Sequence, residues 1–493
     1  MLRPDLQHLR NRLAHLDPQI PLLEAERTTI CKTVSAVIYL VLDLPSEVTS
    51  EIFLRCLPDA PSVPSSLTAP LLLLKICKRW RDIALRTPAL WASFAVHSGS
   101  GRAFGIMGSD HLPKWLQRAG AAPLNLRLTY QGHGSPSFPD GFFQIFDHAS
   151  QWRRVHLAVP FGCFSQPRVQ EALRGTFTSL EELSLNPRPP ITSMGWRYIS
   201  DTPLTLFAKA PKLRVVSLIS LPLSSVVLPW EQLTGLTAYG LDLEEALSVL
   251  QLCPILAHYR LAQVGRVSRR TPSLSPLPPL PHLKTLHLDE YSSDHLLRYL
   301  TLPGLTTLSL PPNADDASSY FSRLSPTGLR KLHLREEKNP RGVLRDGLQF
   351  FHALSDIELA VFPNDASNIM HLISASPATS HLQSMCMNVK VDRDSFFDGC
   401  SLDYTTLLHA LALLKTKSLR SCHITCALPD LFKLREHFDD CSYGDPDADA
   451  EWSRCEKRYM SGIRPNASHM KQFFELRNEG FSIFVGSTKE VWI

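Results

Sequence analysis

From about residue 150 onward one apolar phrase keeps returning along the chain. LEELSL begins at Leu180, LRVVSL at Leu213, LKTLHL at Leu283, LTTLSL at Leu305, LRKLHL at Leu329 and LSDIEL at Leu354. Looser copies start at Trp152, Leu256, Leu382 and Leu419. The phrase is not helical: at about 100° per residue its first and last leucines lie about 140° apart, whereas its fourth and sixth positions share one strand face. Between phrases lie short helical runs, DHLLRYL at Asp294, ASSYFSRL at Ala317 and TLLHALALL at Thr406, with Pro303, Pro326 and Pro377 at their ends or in the loops that follow. The unit is strand, loop, helix, loop. No single unit can bury its apolar side, so neighbours must stack into an α/β solenoid with a parallel sheet.

The front of the chain has a different period. Leu6, Leu9, Leu13 and Leu16 recur at spacings of three and four, an amphipathic helix ending near Pro18, and Leu22 to Val37 is again helix-compatible. Such a stripe serves either self-association as a short coiled coil or packing back onto its own protein. Pro18 and Pro21 interrupt the heptads and favour packing back.

Next come LPSEVTSEIFLRCL from Leu44 and LLLLKICKRWRDIALRTPALW ending at Trp91. Pro45 suits a first helical position and Glu47 the positive end of the helix dipole. Leu44, Val48 and Ile52 fall on one helical face, with Phe53 and Leu57 on the adjoining stripe. A connector with Pro58, Pro61, Pro64 and Pro70 leads to a second helical pattern. Its apolar side is Leu73, Ile76, Cys77, Trp80, Ile83 and Ala84, its polar side Lys75, Lys78, Arg79, Arg81 and Asp82. Thr87-Pro88 stops it, and Leu90 and Trp91 can fold back.

The residue order Leu-Pro-x-Glu-Val, Ile-Phe, Cys-Lys-x-Trp-Arg-x-Ile-Ala and Thr-Pro-x-Leu-Trp resembles the F-box, a helical module that docks into a ubiquitin-ligase scaffold. The proline-rich insert and the Leu-rich lead into Trp-Arg are similar to the F-box-like proteins abundant in mushroom-forming fungi. The resemblance implies that Leu44, Pro45, Val48, Ile52 and Phe53, with Leu73 and Ile76, contact a Skp-type adaptor that is itself attached to a cullin. It implies that Trp80, Ile83, Leu90 and Trp91 form the module's own core. The connector from Pro58 to Pro70 is longer than in compact F-boxes.

The phrases that follow have starts from Leu283 to Leu382 separated by 22, 24, 25 and 28 residues, within the 20–29 range of leucine-rich repeats. They resemble the irregular leucine-rich kind often found behind an F-box and lack the Asn of regular copies. Variable positions inside the phrases then face a target: Lys284, Thr285, His287, Thr306, Thr307, Ser309, Lys331 and His333. The organisation read from these patterns is a helical segment over residues 1–42, the F-box-like module over 43–97 and a connecting segment with the first strand, PLNLRLTY, over 98–150. Repeats over 151–440 follow, then an acidic loop and C-terminal cap over 441–493, the cap a helix ending ELRNEG and a strand FSIFV.

Composition narrows the function. A net charge of +4 over 493 residues carries no signature for nucleic acid or a membrane surface. The charged first residues are unlike a signal peptide, and the apolar run from Val34 to Leu42 is about half a bilayer span. Eleven cysteines without a C-x-x-C suggest buried thiols in a reducing compartment, cytoplasm or nucleus. Cys422, Cys426, His437 and Cys441 have zinc-like spacing, but Cys422 and Cys426 also fit the inward positions of a strand with Ile424, which is the favoured reading. The tract from residue 271 to 281 reads as an extended loop in preference to a polyproline ligand, and Asn466-Ala467-Ser468 as a chance glycosylation tripeptide. No phosphate loop, dinucleotide fingerprint, G-x-S-x-G elbow or H-E-x-x-H helix occurs. The expectation is a non-catalytic chain without cofactor or metal. It joins a Skp-type adaptor, and through it a cullin, to a protein target; the alternative is a scaffold working without a cullin.

Overall fold

The computed structural model describes residues 4–35, 40–98, 111–130, 138, 140–175, 177–187, 203–262, 275–289, 296–310, 321, 328–334, 344–345, 347–390, 396, 401–426, 448–487 and 491–492. The chain forms two compact units, one of Met1–Ser93 with Lys114–Ala122, the other of Phe94–Pro113 with Pro123–Ile493.

The first unit is helical. Helices α1 (Pro4–Leu16) and α2 (Gln19–Ser35) are followed by α3 (Ser46–Arg55), α4 (Leu73–Ile76), α5 (Lys78–Leu85) and α6 (Leu112–Ala119). The second helical pattern of the sequence is therefore two helices. Cys77 takes an extended backbone between them, and its sulfur accepts the Trp80 amide at 3.4 Å, capping α5. The short helix PKWLQRAG belongs to this unit and not to a connector, because Trp115 packs edge-on against Trp91 at 4.8 Å and donates its indole N–H to the Trp91 carbonyl at 2.8 Å.

The second unit holds the repeats. Fourteen strands lie in one sheet in strict chain order: β1 (Ser93–Ser98), β2 (Leu124–Tyr130), β3 (Trp152–Ala158), β4 (Glu182–Leu185), β5 (Val215–Ile219), β6 (Gly235–Tyr239), β7 (His258–Ala262), β8 (Thr285–Leu288), β9 (Thr307–Leu310), β10 (Lys331–Leu334), β11 (Asp356–Val361), β12 (Ser384–Val389), β13 (Ser421–Cys426) and β14 (Ser482–Ser487). Every pair from β2 to β14 is parallel. This is a leucine-rich-repeat-like solenoid.

The phrase explains the register. Its fourth position forms one continuous buried row, Leu126, Val155, Leu183, Val216, Leu236, Tyr259, Leu286, Leu308, Leu332, Ile357, Met385, Cys422 and Ile483. Its first position, one or two residues ahead of each strand, is buried as well, from Leu180 and Leu213 to Leu382 and Leu419. Between them the chain turns sharply, and backbone bonds fix the turn. The Lys284 carbonyl accepts both the Thr306 and Thr307 amides at 2.9 Å, and the Thr306 carbonyl accepts those of Arg330 and Lys331 at 2.9 and 3.0 Å. The same double acceptance recurs at Glu181, Arg214, Thr234, Ala257, Arg330, Ser355 and Gln383. Each repeat thus satisfies the backbone of the next, as a buried turn requires.

Two strands are absent from the phrase list. β6 follows Leu233-x-x-Leu236-x-Ala238 and β1 follows Trp91-x-x-Phe94-x-Val96, in which alanine or aromatic residues stand where the other copies have leucine. The predicted helix at Thr406 is Tyr404–Lys417; it packs between helices Pro363–Ala375 and Ala467–Asn478. Residues Asp294 and Ala317, where two other helical runs begin, lie outside the described residues. The C-terminal cap is Ala467–Asn478 followed by β14, with Gly480 at φ 84°, a conformation that favours glycine. Asn466 caps that helix, accepting the His469 amide at 2.9 Å. Nearby a separate cluster joins Phe396, Trp452, Cys455, Tyr459 and Ile463. No helix among the described residues is long and apolar enough to cross a membrane.

Close repeat packing has a testable cost. A Cβ at Gly304 would sit 2.1 Å from the Pro281 carbonyl oxygen, which is backbone and cannot rotate away. Gly304→Ala is expected to destabilise the solenoid by about 1–3 kcal/mol, the usual penalty of overpacking, seen as a lower denaturant midpoint. Gly120→Ala meets no atom within 4 Å, so it reports only the strain of its positive φ.

Candidate recognition surfaces

In the helical unit the residues around α3 divide into two sets. Phe53 is 1% exposed and meets Trp80 edge-on at 4.9 Å; Leu73 is 3% exposed. Both were expected at the adaptor contact and are instead interior. The reason is geometric: Phe53 lies on the α3 stripe that faces α5, one position beyond the outward Ile52. Val48 at 45%, Ile52 at 42% and Ile76 at 51% exposure are outward, Pro45 is exposed, and Leu44 is half-buried. Ile76 also departs from the sequence reading, which put it on the apolar side of one continuous helix; the break at Cys77 leaves it outward.

The framework behind this surface is tied down. Arg79 donates to the Leu44 carbonyl at 2.9 Å, Arg81 to the Leu74 carbonyl at 2.8 Å, and the Ser50 and Thr87 hydroxyls are 3.1 Å apart. Leu90 and Trp91 are fully buried, while Trp80 and Ile83 are half-buried. The Trp91 indole donates to the Ala84 carbonyl at 3.0 Å, and the Arg118 guanidinium lies 4.5 Å above its ring. A groove of about 470 Å³ lined by Ser46, Lys78, Arg79, Asp82, Ile83 and Arg86 gives the unit a mainly basic rim.

In the solenoid the fifth phrase position forms a second row, on the face opposite the buried leucines. In register it runs Arg127, His156, Ser184, Ser217, Thr237, Arg260, His287, Ser309, His333, Glu358, Cys386, His423 and Phe484. His287 and His333 were predicted for this face, and their rings are 6.3 Å apart across Ser309, which is itself buried. Thr307 pairs in register with Thr285 and Lys331 in the flanking row, and Lys284 precedes its strand with an exposed side chain. The sequence reading missed Glu358, which binds the row together. Its carboxylate lies 2.6 Å from His333 Nδ1 and accepts from Asn388 at 3.2 Å. The phrase position held the signal, since Glu358 is to LSDIEL what His333 is to LRKLHL. Further along, His423 stacks on Phe484 at 5.8 Å, and at the other end His156 lies 2.7 Å from the Ser184 hydroxyl. Arg260 pairs with Asp289 at 3.5 Å. The face is a mixed-sign, hydrogen-bonding strip with a few rings, suited to a polar protein surface.

The interior thiols are not prepared for nucleophilic work. Burial pushes Cys163 and Cys253 up to about 12 from an ordinary 9.0, and it raises Cys422, Tyr259 and Tyr404 as well. Cys422 and Cys426 are both fully buried on the inward side of β13 with Ile424, as the strand alternation predicts. His437 and Cys441 lie outside the described residues. Among the described residues, no group of three or more His, Cys, Asp or Glu is placed to hold a metal ion. These raised values have a pH consequence. Above the ordinary thiol value the unfolded chain loses protons that the folded chain retains, so stability falls as pH rises from about 9 toward 12. Denaturant unfolding at pH 8 and pH 11 should show the lower midpoint at pH 11.

No family model and no curated protein matches the chain.

Proposed function

We propose that this chain is the substrate-recognition subunit of a Skp–cullin–F-box ubiquitin ligase. The helical unit docks the Skp-type adaptor and the polar strand row holds a protein target. The observation that carries the reading is the division around α3: large apolar residues Val48, Ile52 and Ile76 stand in solvent on a unit whose interior is already closed by Phe53, Leu73, Leu90 and Trp91. Exposed apolar side chains on a rigid scaffold are what an interface uses as anchors. The F-box-like residue order names the adaptor. Target contacts fall to His287, Thr307, Lys331 and His333, with Glu358 setting His333 and Lys284 at the edge. The chain does no chemistry itself and needs no cofactor; it raises the target's effective concentration beside a charged enzyme.

The test is affinity capture of the full-length chain beside a Val48→Glu/Ile52→Glu/Ile76→Glu variant, with bound proteins compared by mass spectrometry. Adaptor and cullin are expected on the first and missing from the second, while the target remains on both. Adaptor without cullin would convert the reading to a scaffold. Absence of adaptor from the wild-type capture would end both.

A further inference from the structure

The first two helices carry an apolar stripe that their own unit leaves uncovered. Every residue from Leu6 to Lys32 is exposed, including Leu13 at 62% and Leu23 at 61%. The expected packing back onto the protein is therefore not what α1 and α2 do. The stripe also continues from one helix to the other. Leu6, Leu9, Leu13, Leu16, Ile20, Leu23, Arg27 and Ile30 alternate steps of three and four without interruption, the a and d positions of a heptad. Pro18 and Pro21 fall at f and b, away from the seam. Pro18 lies in the two-residue turn between the helices, and Pro21 in the first turn of α2, where no amide is needed. Helices of 13 and 17 residues are marginal in water without a packed face.

We infer that this stripe is covered by the same stripe of a second copy of the chain, as a short parallel two-helix seam. The flanking charges select that occupant. In parallel register the g-position Arg12 faces the e-position Asp17 of the second copy, and Gln19 faces Glu24. The one polar a position, Arg27, packs beside Glu26 of the second copy, so its charge is met. No like charges oppose one another at these g–e positions. An antiparallel seam also pairs Arg10 with Glu24, but it sets Asp17 against its own copy and buries Arg27 on Leu9. A polar residue at one a position is a known way to fix register and strand number. Two target-binding solenoids would then be carried by one assembly.

Sedimentation equilibrium of the full-length chain, with and without reducing agent, tests this. Wild type should show a concentration-dependent dimer, and Leu13→Glu/Leu23→Glu should raise the dimer dissociation constant at least about a hundredfold. Because both residues are exposed in the single chain, the thermal unfolding of the remainder serves as the folding control and should not change. Arg12→Glu should weaken the dimer a few fold, and Arg12→Glu with Asp17→Arg should restore it. A wild-type monomer at about 100 µM, or a dimer indifferent to the leucine changes, overturns the seam. Failure of the charge exchange to restore association overturns its parallel register.

Discussion

Replacing Val48, Ile52 and Ile76 together by alanine is expected to weaken binding of a Skp-type adaptor at least about a hundredfold without lowering the unfolding midpoint of the chain. All three side chains are already half in solvent, so truncation removes little that the folded chain uses. At an interface the same truncations remove the anchors. A hot-spot residue contributes about 2 kcal/mol or more, and a hundredfold loss needs only about 2.8 kcal/mol from the three combined. Titration calorimetry with purified adaptor reads the constant directly. Wild-type affinity in this triple variant would remove the adaptor from the proposal. Phe53→Ala makes the contrasting case: it too should depress binding, but by opening the contact with Trp80, so its midpoint must fall as well.

The second large effect is Trp91→Ala, expected to destabilise the helical unit by about 3–5 kcal/mol, the range for removing a buried large aromatic side chain. Trp91 is wholly buried, donates to Ala84, lies edge-on to Trp115 and carries the Arg118 guanidinium over its ring. Its loss leaves the Ala84 carbonyl without that donor and the two α6 side chains without a platform. Trp115→Phe isolates one part of this arrangement. It keeps an aromatic ring but deletes the 2.8 Å bond to the Trp91 carbonyl, at a cost of about 1–3 kcal/mol if that carbonyl stays buried. Denaturant titration of both variants gives the comparison. Near-wild-type stability for Trp91→Ala would mean that the corner does not hold this unit together.

Legibility of the fold followed the strength of the leucine period. Where Leu occupied the first, fourth and sixth phrase positions, as at Leu305 or Leu329, strand and buried face could both be read directly, because strand alternation and burial select the same residues. The copies at Trp91 and Leu233 were obscured, since Phe94, Val96 and Ala238 fill the same buried positions with other volumes. The recognition row was legible only in part. Its residues share one phrase position, but the joining of His333 and Asn388 through Glu358 depends on which strands are neighbours.

The helical unit shows where sequence periodicity stops. Val48 and Ile52, and Phe53 beside them, are equally apolar and lie on adjoining stripes; only the placement of α5 decides that Phe53 goes in and Ile52 stays out. Likewise Leu73 and Ile76 read as one helical face until the extended backbone at Cys77 separates α4 from α5. By itself the sequence determined the repeating strand, its inward leucines, the helical front and the heptad spacing of α1 and α2, all of which are local periodicities of side-chain polarity. Tertiary structure decided which apolar residues remain in water, because hydrophobic burial is non-directional and the last stripe to find a partner is chosen by packing, not by composition.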